Sequence, residues 1–165
     1  MDPLVVTAVL GEPAQSRLDA LRCRHFPPER NHLGAHVTLF HALPGEHEAE
    51  VRAALAESSR RTAPPAVVGE PRLLGRGVAF RIDAPELLAL RADLARTFAP
   101  WLTAQDRGKR ELHVTVQNKV PPEQARALRA ELPGGGPEHT GVVALRLWRY
   151  RGGPWDPVAT FPFSV

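Results

Sequence analysis

Apolar residues along this chain follow two rhythms, and the rhythms alternate. "LVVTAV" at residues 4–9 is an apolar run of strand length. After Pro13 the spacing widens, and Ala14, Leu18 and Leu21 predict one face of a helix. "FPPERNHLGA" breaks both rhythms with two prolines and a glycine and reads as a loop. "HVTLF" returns to strand-like alternation, and Pro44-Gly45 ends it. Residues 46–61 then predict a helix with Val51, Ala54, Leu55 and Ser58 facing inward.

The second half repeats this alternation. "AVVGEPRLL" and "GVAFRID" predict two strands of a hairpin around Gly75-Arg76-Gly77. Asp83 and Glu86 are spaced as a capping box, ahead of a helical stripe of Leu87, Leu90, Leu94, Phe98 and Trp101. "LHVTVQNKV" reads as the next strand, Pro121-Pro122 as its break, and residues 123–132 as a short helix. "PGGGPEHTG" reads as a loop, and "VVALRLWRY" and "VATFPF" as two closing strands turned at Gly152-Gly153-Pro154. The same unit is thus spelled twice: helix, strand, helix, strand pair.

An ungapped match of residues 36–55 with residues 113–132 supports a duplication. His36/His113, Val37/Val114, Thr38/Thr115, Pro44/Pro121, Glu46/Glu123, Arg52/Arg129, Ala53/Ala130 and Leu55/Leu132 are identical. Chance would supply roughly two identities in such a search for internal periodicity. The expectation is one domain over residues 1–165, made of two duplicated lobes at about 1–80 and 81–165, with strands free to exchange between them.

Composition narrows the class. The 165 residues suit one compact domain, and 43% apolar with 24% charged content is ordinary for a globular chain. No apolar run reaches membrane length, and the first residues lack a basic stretch typical of a signal peptide. A cytoplasmic protein without membrane attachment is expected. The single Cys23 excludes an internal disulfide. Arg supplies all but two of the 21 basic residues, and the net charge of +3 carries little functional information.

The chemistry lies in the repeated triplet. Side chains alternate along a strand, so His36 and Thr38 share one face while Val37 and Leu39 share the other. His113 and Thr115 repeat the arrangement. If a twofold axis relates the halves, two imidazoles and two hydroxyls meet across a groove. That set suits phosphodiester cleavage. One neutral His takes a proton from water, the other returns one to the leaving oxygen, and the Thr hydroxyls donate to phosphate oxygens. The chemistry calls for no metal and no cofactor. The loose spacing of His32, His36 and His41 suggests a metal site, but His41 falls in the opposite strand phase from His36 and no carboxylate joins them, so no metal site is expected there.

The motifs "HVTL" at His36 and "HVTV" at His113 resemble the paired His-x-Thr motifs of the 2H phosphoesterase superfamily, in particular the LigT-like, 2'-5' RNA ligase family. The resemblance implies an α+β fold of two pseudo-symmetric lobes, each a mainly antiparallel sheet with helices packed outside and an active-site groove between them. It also implies that His36, Thr38, His113 and Thr115 line the site. The activity it implies is opening of 2',3'-cyclic phosphates or 2'-5' phosphodiester links, with 2'-5' RNA ligation as the reverse of opening the 2'-5' link. The partner would be RNA carrying a 2',3'-cyclic phosphate or 2'-5' linkage, or a cyclic nucleotide, met by a monomer. The alternative is a nucleotide- or RNA-binding module that uses the same groove without turnover. Where the family often carries a Lys-Phe-Leu-Gly-like run, this chain has "FHALPG". Phe40, Gln117, Lys119, Arg149 and Tyr150 are the further candidates for substrate contact.

Overall fold

A computed structural model describes residues 1–109, 111–132 and 137–165. The strands are β1 (Leu4–Leu10), β2 (Val37–Leu43), β3 (Pro65–Leu73), β4 (Val78–Asp83), β5 (Leu112–Gln117), β6 (Glu138–Tyr150) and β7 (Trp155–Pro162). The helices are α1 (Ala14–His25), α2 (Glu48–Ser58), α3 (Pro85–Thr97), α4 (Ala104–Arg107) and α5 (Pro122–Glu131).

Among the described residues the strands form one sheet, in the order β1-β2-β5-β4-β3-β6-β7, and every pairing between them is antiparallel. β6 also pairs with β1, which closes the sheet into a barrel-like ring. Its first residues run beside β3, and its later ones beside β1 and β7. The fold is mixed α and β, as the alternating rhythms imply. The separate sheets of the two lobes expected from the sequence are joined in one continuous sheet, because β6 pairs with both β1 and β3 and β2 meets β5 at Val37 and Val114.

The apolar stripes form the core. Leu87, Leu90, Leu94 and Phe98 of α3 and its C-terminal turn are almost fully buried, as are Leu4, Val6, Ala8, Val37 and Leu39 on the strands. Each large aliphatic or aromatic side chain so buried contributes roughly 1.5–3 kcal/mol. Pro85 occupies the first turn of α3, where its missing N–H costs nothing. The capping box does not form: Ala84 is the N-cap, and no side chain caps the helix.

Other boundaries move. α2 starts at Glu48 after a single tight turn at Gly45–His47, and β7 begins at Trp155. Of the expected loop at 133–141, residues 133–136 lie outside the described residues, while Glu138 to Gly141 already belong to β6. The short helix α4 had no sequence counterpart. Its Thr103 N-cap accepts the Asp106 N–H at 3.2 Å, a local device that fixes where Asp106 stands.

Candidate active site

β2 and β5 meet at Val37 and Val114 in antiparallel register. That register sets Thr38 beside His113 and His36 beside Thr115. Each histidine therefore neighbours the threonine of the other motif. Neither imidazole lies in the core: His36 is half-buried one residue before β2, and His113 is exposed. Thr38 and Thr115 are half-buried.

Neighbouring strands extend this uncovered face. Thr7 opposes Thr38, and Arg146 opposes Thr7, so a row runs from β2 through β1 to β6. Trp148 donates its indole N–H to the Thr7 hydroxyl at 2.9 Å. On the other side Arg81 opposes His113. A cavity of about 440 Å³ is lined by Thr7, Asp19, His36, Arg146 and Trp148 among others. A second, of about 230 Å³, is lined by Arg22, Arg30, His36, Thr115, Asn118 and Trp155 among others. His36 stands at the junction of the two, with the Trp155 ring 5.2 Å away.

The protonation of His36 follows from its surroundings. Its Nδ1–H donates to the Gly34 carbonyl at 2.9 Å, which leaves Nε2 as the free acceptor. Burial pulls its pKa down from 6.5 to about 4, and the charges of Arg22, His113 and His41 act in the same direction, while the Gly34 bond opposes them. His113 is also lowered, by burial first and then by Lys109 and His41, with Glu111 opposing. Both imidazoles are therefore neutral at neutral pH in the unliganded site.

Arg22 was not singled out by the sequence. It is 6% exposed on the buried face of α1, one turn after Leu18. Its Nη1 donates to the Thr115 carbonyl at 2.8 Å, and its Nε to Asn31 Oδ1 and the Leu33 carbonyl at 3.0 and 3.1 Å. Burial lowers its pKa to about 10, so it remains cationic. A charged residue at i+4 from a core leucine was the available signal.

Twin bulges set the strand phase beyond each motif. Thr7 opposes Thr38 but Val6 opposes Phe40, so Leu39 is an extra residue in β2. Ala79 opposes Thr115 but Val78 opposes Gln117, so Val116 is an extra residue in β5. The two bulges sit at equivalent positions of the repeat, 77 residues apart. An extra residue reverses the alternation.

The bulges correct two expectations drawn from strand alternation. Phe40 does not continue the face of Thr38; it is fully buried, edge-on to Phe98 and beneath Arg91. Gln117 likewise turns inward at 2% exposure, and its Oε1 has no hydrogen-bond partner among the described residues. The same reversal brings His41 back to the face of Thr38, against the phase expected for it. A carboxylate does reach it: Asp106 Oδ1 lies 3.0 Å from His41 Nδ1.

The remaining candidates line neither of the two cavities. Arg149 is ion-paired with Glu48 of α2. Lys119 is exposed at a positive φ of 61°, in a turn where its N–H donates to Asn118 Oδ1. Tyr150 is 38% exposed at the end of β6, opposite Trp155.

The sequence profile of the 2'-5' RNA ligase superfamily matches residues 10–154. The chain belongs to this superfamily, among the 2H phosphoesterases. Solved structures share its fold. A phosphoesterase has 17% identity and a TM-score of 0.66, with 100% of each chain covered. TT0787 of Thermus thermophilus has 18% identity and a TM-score of 0.63, covering 98% of this chain and 97% of its own. LigT of E. coli, complexed with 3'-AMP, has 16% identity and a TM-score of 0.64, with 99% of each chain covered. No curated protein sequence matches the chain. No helix among the described residues is long and apolar enough to cross a membrane.

Proposed function

We propose that this chain is a phosphodiesterase that opens 2',3'-cyclic phosphates at RNA ends or in nucleotides with water, and that 2'-5' ligation is the same opening with an RNA 5'-hydroxyl in place of water, the reverse of cleaving a 2'-5' link. The observation that carries the reading is the antiparallel meeting of Val37 and Val114, which sets each motif's histidine beside the other motif's threonine. A phosphate between the imidazoles would meet hydroxyl donors on both sides and the buried cation of Arg22 nearby. The duplicated lobes expected from the sequence accord with the matched bulges, and we read the site as lying across their pseudo-twofold axis. LigT is known in complexes with 3'-AMP and ATP, which favours a nucleotide-type ligand for this relative.

His36 is the base in this reading. Its Nε2 lone pair is free and its pKa is low, so it is unprotonated when water must be activated. It takes a water proton as the new P–O bond forms. The P–O3' bond then breaks, and His113, in the imidazolium form it holds below its lowered pKa, gives its proton to the departing O3', leaving a 2'-phosphate. Thr38 and Thr115 donate to the non-bridging oxygens, whose charge grows in the transition state. The two imidazoles handle both protons, so turnover is expected to persist in EDTA.

The test is hydrolysis of a 2',3'-cyclic nucleotide by purified protein, with the product identified. Release of a 2'-phosphate that disappears in both His36→Ala and His113→Ala, with the fold retained, supports the reading. Tight binding of the same nucleotide without any product over long incubation replaces it with a binding module.

A further inference from the structure

The register of β2 against β1 shifts twice, at Leu39 and again across His41–Ala42, which frees backbone groups from the ladder, and two side chains from distant segments take them up. Arg91 of α3 donates from Nε to the Leu39 carbonyl at 2.8 Å. Asp106 of α4 accepts the His41 N–H at 2.9 and 3.0 Å on its two oxygens, and the Ala42 N–H at 3.2 Å. A second Arg91 bond, from Nη2 to the Asp106 carbonyl, ties α4 to this arrangement.

Asp106 does one thing more. Its Oδ1 also accepts the His41 Nδ1–H at 3.0 Å. Asp106 is completely buried. Burial works against its charge, but the bonds from the His41 ring, the His41 N–H and the Ala42 N–H outweigh it and hold the carboxyl below its usual range. The imidazole is thereby fixed in tautomer and orientation. Nδ1 faces the buried carboxylate, and Nε2 on the far side of the ring faces away from it. The His41 side chain remains 35% exposed.

Its position is that of a site residue. The bulge puts His41 on the face of Thr38, which neighbours His113, and the charge of His41 acts on both His36 and His113. The counterpart of His41 in the repeat is Asn118, just past the β5 bulge, which lines the cavity beside His36 and Thr115. Each bulge thus adds one polar side chain to one motif. Of the two, the imidazole is the one anchored by a buried acid.

We propose that His41, oriented by Asp106, is a third phosphate-contacting imidazole, donating from Nε2–H of its imidazolium form to a phosphate oxygen on the His113 side of the groove. Asp106 is the positioning residue, and its carboxylate offsets the charge His41 carries when it binds. The proposal rests on the phosphodiesterase reading for its substrate, but not for the phosphate contact itself.

His41→Ala removes the imidazole while Asp106 keeps its backbone bonds to the bulge. The expected result is a 10- to 100-fold loss in kcat/KM on a 2',3'-cyclic nucleotide and at least fivefold weaker binding of inorganic phosphate, with circular dichroism and Tm preserved. Asp106→Asn leaves His41 in place but weakens its anchor, and is expected to shift the His41 Nδ1–H resonance and raise KM more than it lowers kcat. Values for His41→Ala within twofold of the unaltered protein, in both turnover and phosphate affinity, overturn the proposal. If the unaltered protein turns over no cyclic nucleotide, the proposed reaction fails and the phosphate contact is judged alone. Histidine-selective 15N NMR of the unaltered protein, titrated with inorganic phosphate, decides that point and needs no variant to fold. A His41 Nε2 resonance that moves with phosphate supports the contact, and one that stays still rejects it.

Discussion

Val37 lies opposite Val114, its own counterpart in the repeat, and both side chains are buried at 0% and 1% exposure. Because the two residues are equivalent, the motifs approach one another head to tail across this point. Removing either side chain's branched methyls should cost about 2 kcal/mol in stability. The double variant Val37→Ala/Val114→Ala should depart from additivity by at least about 0.5 kcal/mol, since the residues share one contact. Urea denaturation of the two single variants and the double variant measures this; strict additivity would mean that the pair is not coupled.

His36→Ala and His113→Ala should each lower kcat on a cyclic phosphodiester by about 10²–10⁴-fold, the usual worth of one acid–base group. Thr38→Val and Thr115→Val keep size and strand preference while deleting a donor, and should act less severely. Single-turnover kinetics with matched circular dichroism spectra checks the order of effects.

The imidazole environments set the pH dependence. With His36 as base at about 4 and His113 as acid below the ordinary 6.5, kcat/KM should rise through about pH 4 and fall before pH 6.5. Stability follows the same groups. The unfolded His36 binds a proton near 6.5 and the folded one only near 4, so the unfolded state holds more protons between these values. His36 therefore has no effect above pH 6.5 and destabilises progressively as pH falls toward 4, by on the order of 2 kcal/mol after allowance for solvent screening. Unfolding of His36→Gln against pH should show a shallower acid slope; an unchanged slope would place the titration elsewhere.

Arg22 couples α1 to β5 and its charge lowers His36. Arg22→Met should raise the His36 pKa above about 4 and cost about 2–4 kcal/mol, because three acceptors lose their donor. NMR titration of His36 reads the first effect and thermal unfolding the second.

Gly77 has no room for a side chain. A Cβ there would fall 1.9 Å from the Gln117 carbonyl oxygen, against the bulge that directs Asn118. Gly77→Ala should force the end of β5 outward, at a cost of about 2–4 kcal/mol, and weaken phosphate binding through Asn118. A variant with unaltered Tm and phosphate affinity would contradict this.

Much of the molecule was written locally. The apolar runs of β1 and β4, the leucine stripe of α3 and the breaks at Pro44 and Pro121 all rest on spacings within a few residues, so the chain alone determined them. So did the two His-x-Thr triplets and the 77-residue repeat that carries them. What the sequence could not decide was the phase of each strand beyond its motif. Alternation is a local rule, but the two register shifts of β2 are held by Arg91, 52 residues from Leu39, and by Asp106, 65 residues from His41. Those hydrogen bonds exist only once α3 and α4 have packed against β2. They turn Phe40 inward and His41 outward, reversing the alternation after Leu39. Closure of the ring has a similar origin, since β6 joins β1, β3 and β7 through backbone bonds to which no side-chain pattern points. The sequence determined which residues could do chemistry; the distant bonds that bend the strands decided which of them face the groove.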